Sequence, residues 1–102
     1  MELTTTREGG RLTMAVRGSI NTVTAGEFER QVLAELSGDG GAQELTLDFA
    51  GVDYVSSAGL RALLKIDQDK PAEMAMRLVG VNGEVREVFE MTGFDQLLTI
   101  ES

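Results

Sequence analysis

Two adjacent serines, Ser56 and Ser57, close a run of strand-and-turn character and open a helical pattern. A helix N-terminus presents unpaired amide groups and the positive end of a dipole, an environment that favours a phosphate. Ala58 and Gly59 follow, and their small size is expected to let another molecule approach the Ser57 hydroxyl. Arg61 and Lys65 stand at i+4 and i+8 from Ser57, a polar stripe opposite Leu60, Leu63 and Leu64. A hydroxyl on an exposed helix start, beside small residues and a cation, has the surroundings of a phosphoryl acceptor. The same two serines also suit a plain N-cap, and on spacing alone the cap is the commoner role.

Other chemistry is scarce. The chain holds no His, which removes the usual general base and the commonest metal ligand, and no Cys, which removes thiol catalysis and thiolate metal sites. There is no Gly-x-x-x-x-Gly-Lys-Ser/Thr loop for a nucleotide. Asp48 and Asp53 read as solvated strand and loop positions rather than a metal pair. Catalytic turnover, a bound cofactor and a metal site are therefore not expected. Nine Lys and Arg against 17 Asp and Glu leave a net charge of −8. Phosphate backbones and anionic membranes are repelled by that field, so nucleic acid is not an expected partner. No apolar run approaches the roughly 18 residues of a membrane span, and Met1-Glu2 lacks the basic and apolar start of a signal peptide. The expectation is a cytoplasmic protein of one domain, residues 1–102, with no membrane insertion.

The elements that position the serines follow from hydrophobic period. Leu12, Met14 and Val16 alternate with polar or small residues, as do Leu45, Leu47 and Phe49, and Met74, Met76 and Leu78. Each set reads as a strand with one apolar face, and Leu98 with Ile100 as a short last strand. Gly9-Gly10 suits a hairpin turn, which makes residues 2–7 an edge strand with Leu3 its only large apolar residue. Thr24 and Glu27 fit a capping box for a first helix carrying Phe28, Val32, Leu33 and Leu36. That helix is expected to stop in the loop Ser37-Gly38-Asp39-Gly40-Gly41. A second helix is expected from Ser57 to Gln68. A third starts after Asn82, buries Val85, Val88 and Phe89, and stops at Gly93, with Phe94 making the hydrophobic contact that follows. Met74 and Met76 read as core, Glu84, Glu87 and Glu90 as a solvated helix face, and Tyr54 as a ring packed beneath the serine loop. The order is β-β-α-β-α-β-α-β, a mixed, mostly parallel sheet. Thr13, Arg17, Thr46 and Asp48 point away from the apolar side, which places all helices on one face and leaves the other wetter.

The stretch Asp48 to Leu64, above all Val55-Ser56-Ser57-Ala58-Gly59-Leu60-Arg61, resembles the signature of STAS domains (sulfate transporter and anti-sigma factor antagonist). Gly18-Ser19-Ile20-Asn21 with Thr24-Ala25 is similar to the family's segment before its first helix, and Glu87 to Phe94 to its third helix and glycine stop. The resemblance implies a small α/β superhelix with helices on one face. For a stand-alone chain of this length it implies an anti-sigma factor antagonist. Such a domain binds an anti-sigma factor that is also a Ser/Thr kinase, so that a sigma factor is released. Phosphorylation of a signature Ser separates the pair, and a Ser/Thr phosphatase resets it. Anchored on Gly59-Leu60, the acceptor falls on Ser57, with Ser56 the alternative. The same resemblance places Asn21, Thr22, Thr24, Ser56, Ala58, Gly59 and Arg61 in the partner-binding surface, and a homodimer is compatible with it. Two positions depart from the best-known subgroup. Ser56 stands where an Asp precedes the acceptor, and Asn21 replaces an acidic residue, keeping its hydrogen-bonding shape without the charge. A second reading is a STAS-only docking subunit of a complex such as a lipid-transport ATPase, with no phosphorylation switch.

Overall fold

The molecule, seen in a computed structural model, is described over residues 1–38 and 42–101. Strands β1 (Glu2–Glu8) and β2 (Arg11–Ile20) form an antiparallel hairpin through Gly9-Gly10, with Glu8 opposite Arg11 and Glu2 opposite Arg17. Gly9 takes a φ of 61°, a conformation glycine reaches without strain. Helix α1 (Ala25–Gly38) returns the chain so that β3 (Glu44–Val55) runs parallel to β2. Helix α2 (Ser57–Asp69) leads to β4 (Ala75–Val79), and α3 (Gly83–Thr92) with the short α4 (Phe94–Leu97) leads to β5 (Thr99–Ile100). The sheet order is β1-β2-β3-β4-β5. From β2 onward it advances in one direction, and crossovers of one hand then stack the helices on one side.

Register builds the core in rows. Leu12 lies beside Leu45 and Leu45 beside Met76; Met14 lies beside Leu47 and Leu47 beside Leu78. All six are buried, together with Phe28, Val32, Leu63, Ile66, Val85 and Phe89 from the helices. Phe28 meets Phe49 edge-on with ring centroids 6.3 Å apart, the arrangement that aromatic quadrupoles favour. Met74 is in this core as well. Asn82 caps α3 by accepting the Val85 amide at 2.8 Å, while its own side-chain amide donates to the Val52 carbonyl at 2.9 Å. Gly93 ends α3 at φ 79°.

Several expectations change. Strand β3 does not stop near Phe49 but continues to Val55, and β2 reaches Ile20 beside it. The chain after Gly93 does not run straight into the last strand but makes the extra turn α4, so the order is β-β-α-β-α-β-α-α-β. Helix α1 continues through Ser37 and Gly38, so these two are helical rather than loop; Asp39, Gly40 and Gly41 lie outside the described residues. Helix α2 ends one residue later than expected, at Asp69, and buries Ile66, while Leu64 is only half-buried. Thr46 does point away from the apolar side, yet it is 5% exposed. Arg77, paired with it across the strands, lies over it and donates from Nε to Thr46 Oγ1 at 3.2 Å. Glu44 and Glu101 hold the guanidinium there at 3.0 and 3.3 Å. The aliphatic stem of a charged residue thus covers the sheet where no helix does.

Because Leu47 has core neighbours in register on both sides, its truncation leaves a cavity that no flexible group fills. Chemical denaturation of Leu47→Ala is expected to show a loss of about 2–5 kcal/mol. A loss below about 1 kcal/mol would mean that the row across β2, β3 and β4 repacks.

Candidate functional site

The site is built at the ends of β2 and β3. Their parallel ladder runs on to Ile20 beside Val55, through register shifts after Ala15 and after Gly18. Gly51 makes that extension possible, since a Cβ there would lie 2.8 Å from Arg17 Cγ and 3.2 Å from the Val16 carbonyl. The Ser56 amide then donates to the Ile20 carbonyl at 2.9 Å, which anchors the turn from strand into helix.

Ser56 is the N-cap of α2, with extended backbone (φ −88°, ψ 177°) and Oγ accepting from the Gly59 amide at 3.3 Å. Its carbonyl accepts the first helical hydrogen bond, from Leu60 at 2.9 Å. Ser57 is the first helical residue and is exposed. Among the described residues its hydroxyl makes no hydrogen bond, and the amides of Ser57 and Ala58 find no acceptor. The two serines therefore occupy different positions: one hydroxyl is used by the fold and the other faces solvent at the positive end of a helix dipole.

Gly59 has the opposite orientation from the one expected. It is buried, and a Cβ on it would meet the Ile20 carbonyl at 2.7 Å and Val55 Cγ1 at 2.8 Å. Its small size admits α2 to the strand ends rather than a visitor to the Ser57 hydroxyl. Ala58 is half-buried and Arg61 exposed.

The turn before α1 forms the other half. Asn21 Oδ1 accepts the amides of Val23 at 2.9 Å and Thr24 at 3.1 Å. Thr24 Oγ1 donates to the Ser19 carbonyl at 2.8 Å and accepts the Asn21 amide at 2.9 Å. The capping box expected between Thr24 and Glu27 is not formed, because the Thr24 hydroxyl is engaged upstream and Glu27 instead accepts from Gln31 Nε2 at 2.9 Å. Asn21 takes over with an Asx turn, for which a neutral amide oxygen suffices. Thr22 is left exposed. A shallow groove runs between the helices, with Thr22, Ala25 and Gly26 on one side and Ala58, Arg61 and Ala62 on the other.

Two apolar residues flank this region. Val23 is 88% exposed, and Tyr54, expected beneath the serine loop, is instead 53% exposed. Val23 carries a signal that sequence reading passed over: an apolar residue between two threonines in a turn has no core to enter.

The family model for the STAS domain matches residues 2–102. The chain belongs to the STAS domain family. This STAS domain is 35% identical over 95 residues to a Bordetella bronchiseptica protein named as an anti-sigma factor antagonist, BtrV, covering 92% of this chain and 80% of that one. The similarity places it with the anti-sigma factor antagonists of the family. Its fold matches the crystal structure of an anti-sigma factor antagonist from Mycobacterium paratuberculosis with a TM-score of 0.87 at 22% identity, covering 97% of this chain and 83% of that one. It also matches the Bacillus cell fate determinant SpoIIAA in phosphorylated form, with a TM-score of 0.70 at 12% identity, over 99% and 92% of the two chains.

The close approach at Gly59 reverses an ordinary rule. Gly→Ala inside a helix usually stabilises by up to about 1 kcal/mol, but here the new methyl meets a carbonyl that cannot move aside. Gly59→Ala is expected to lower the stability of the STAS domain by about 1–3 kcal/mol in a urea titration. Ser56→Ala is expected to cost about 1 kcal/mol through the lost cap, and Ser57→Ala to stay within about 0.5 kcal/mol. Equal losses at both serines would show that Ser57 also supports the helix start.

Proposed function

We propose that this STAS domain is an anti-sigma factor antagonist that acts by partner switching, with Ser57 as its phosphoacceptor. In the unmodified state it binds an anti-sigma factor with Ser/Thr kinase activity, and the sigma factor is freed. The kinase transfers the γ-phosphoryl group of ATP to Ser57 Oγ. The new O–P bond forms as the bond to ADP breaks, and the hydroxyl proton leaves to the kinase. A Ser/Thr phosphatase hydrolyses the ester and returns the domain to its binding state. The domain contributes a surface and an acceptor and no catalytic group, in keeping with a sequence that has no His and no Cys.

The observation that carries this reading is the division between the serines. The Ser56 hydroxyl is used as the cap of α2, whereas the Ser57 hydroxyl is exposed and engaged with nothing among the described residues. The reading is further supported by the Bordetella relative, named as an anti-sigma factor antagonist, and by SpoIIAA, solved in phosphorylated form. A phosphate on Ser57 adds roughly −1.5 to −2 charges to a chain already at −8. At a helix start that charge is well tolerated by the domain itself. Inside a packed interface it costs desolvation and repels the partner's carboxylates, so the complex is destabilised while the fold is not.

Incubation with the cognate anti-sigma kinase and MgATP, followed by phosphopeptide mass spectrometry, is expected to place the phosphate on Ser57. Ser57→Ala is expected to bind the kinase and to stay bound when ATP is added. Ser56→Ala keeps binding and release at reduced stability. Phosphate found on Ser56 would overturn the assignment of the acceptor. Binding that persists with both serines unmodified would overturn the switch and favour a docking subunit.

A further inference from the structure

We infer that Arg61 is the internal counter-ion of the Ser57 phosphate, so that phosphorylation withdraws a cation from the α1–α2 groove while it adds an anion beside it. The inference rests on Ser57 as acceptor and assigns a regulatory role to a side chain that otherwise only lines the groove.

Arg61 is exposed and, among the described residues, makes no salt bridge or hydrogen bond. Its nearest cationic neighbour on the helix is committed elsewhere: Lys65 is held by Asp69 at 3.3 Å. Arg77, the guanidinium most engaged in the fold, is held by two carboxylates on the far side of the sheet. Arg30 on α1 also makes no ion pair among the described residues, so what distinguishes Arg61 is its place one turn from the candidate acceptor, in a groove whose other charged groups are Glu29 from α1 and Lys65.

Helix geometry makes the pairing specific. Residues four apart lie on one face with Cβ atoms about 5–6 Å apart, and an anion N-terminal to its cation is the favourable order. Cα–Cβ bonds tilt toward the helix N-terminus, so an arginine at position 61 can reach back toward the turn that begins with Ser57. Ala58, which lines the groove beside Arg61, adds only a methyl group there. The planar guanidinium can engage two phosphate oxygens at once, which a lysine cannot do in the same way. The third oxygen is left to the amides of Ser57 and Ala58, which have no acceptor among the described residues. Arg61 lines the groove in the unmodified protein, and pairing with the phosphate turns its charge inward along the helix.

The test uses protein carrying phosphoserine installed at position 57 during synthesis, so it does not depend on which serine a kinase chooses. A cation beside the phosphate favours the dianion and lowers its second pKa below the usual value near 6. Titration followed by phosphorus NMR is expected to show this pKa a few tenths of a unit higher in Arg61→Gln than in the wild-type chain. Arg61→Lys is expected to recover part of the difference, and Lys65→Gln to leave the value unchanged. The difference is expected to shrink as salt is raised. Identical titration curves for wild type and Arg61→Gln would overturn the inference, as would an equal shift in Lys65→Gln. A kinase that labels only Ser56 would instead overturn the acceptor assignment, and the phosphorus titration would still report the pairing on its own terms.

Discussion

The contact on which the site depends is the approach of Gly59 to the Ile20 carbonyl and the Val55 side chain, where a Cβ would stand only 2.7 and 2.8 Å away. It fixes the depth of the start of α2 against the strand ends, and it also fixes the rotation of the helix. Successive α-helical residues turn by about 100°, so Ser57 and Arg61, two places either side of Gly59, both face about 160° away from it. Burying the glycine thereby sends serine and arginine outward together, within about 40° of one another. A single packing constraint sets which hydroxyl meets solvent and which cation accompanies it.

That contact is available only because two strands are unusually long. Strands β2 and β3 have 10 and 12 residues, whereas β4 and β5 have 5 and 2. The central pair therefore reaches past the rest of the sheet and carries the turns before α1 and α2 at its far end. The extension is irregular, with register shifts and Gly51 packed against Arg17. Bulged ladders twist more strongly than regular ones, which suits strand ends that must receive a helix from the side. Asn21 then organises one turn through its Oδ1, and Ser56 the other through its Oγ. Both polar side chains are spent on shape. The neighbours Thr22, Val23 and Ser57 are exposed at the same end.

Much of this was legible in the sequence, because alternation and helical spacing report directly which face of an element is buried. Leu12, Met14, Leu45, Leu47, Met76 and Leu78 all entered the core as the period of 2 requires, and the Asn82 and Gly93 ends of α3 followed from capping chemistry. What escaped was decided by groups that pattern does not record. The direction of Gly59 depends on a backbone carbonyl 39 positions earlier, at Ile20, and a small residue reads the same whether it faces a partner or a strand end. Thr24 and Glu27 have capping-box spacing, but Asn21 and the Ser19 carbonyl compete for the same hydroxyl and win. The far end of β3 was hidden by Ala50 and Gly51, which break the apolar alternation where the ladder bulges. Thr46 lies on the face that alternation indicates yet is covered, since a polar face can be shielded by an arginine stem as well as by a helix.

The composition narrows how such a surface can be controlled. A protein interface is switched most readily by changing charge, and side chains offer few ways to do so near neutral pH. Histidine is the one whose ordinary pKa falls there, and cysteine the one most easily oxidised; this chain has neither. In the proposed switch the change is brought in covalently, and the Ser57 hydroxyl is the group that receives it. Placed at the first residue of α2, the added charge meets the favourable end of the helix dipole, so the domain accepts it without losing its fold. Placed a few residues later, the same phosphate would lose that support and weaken the helix that presents it. In the proposed switch, a phosphate on the serine immediately after the cap acts on the partner and spares the protein.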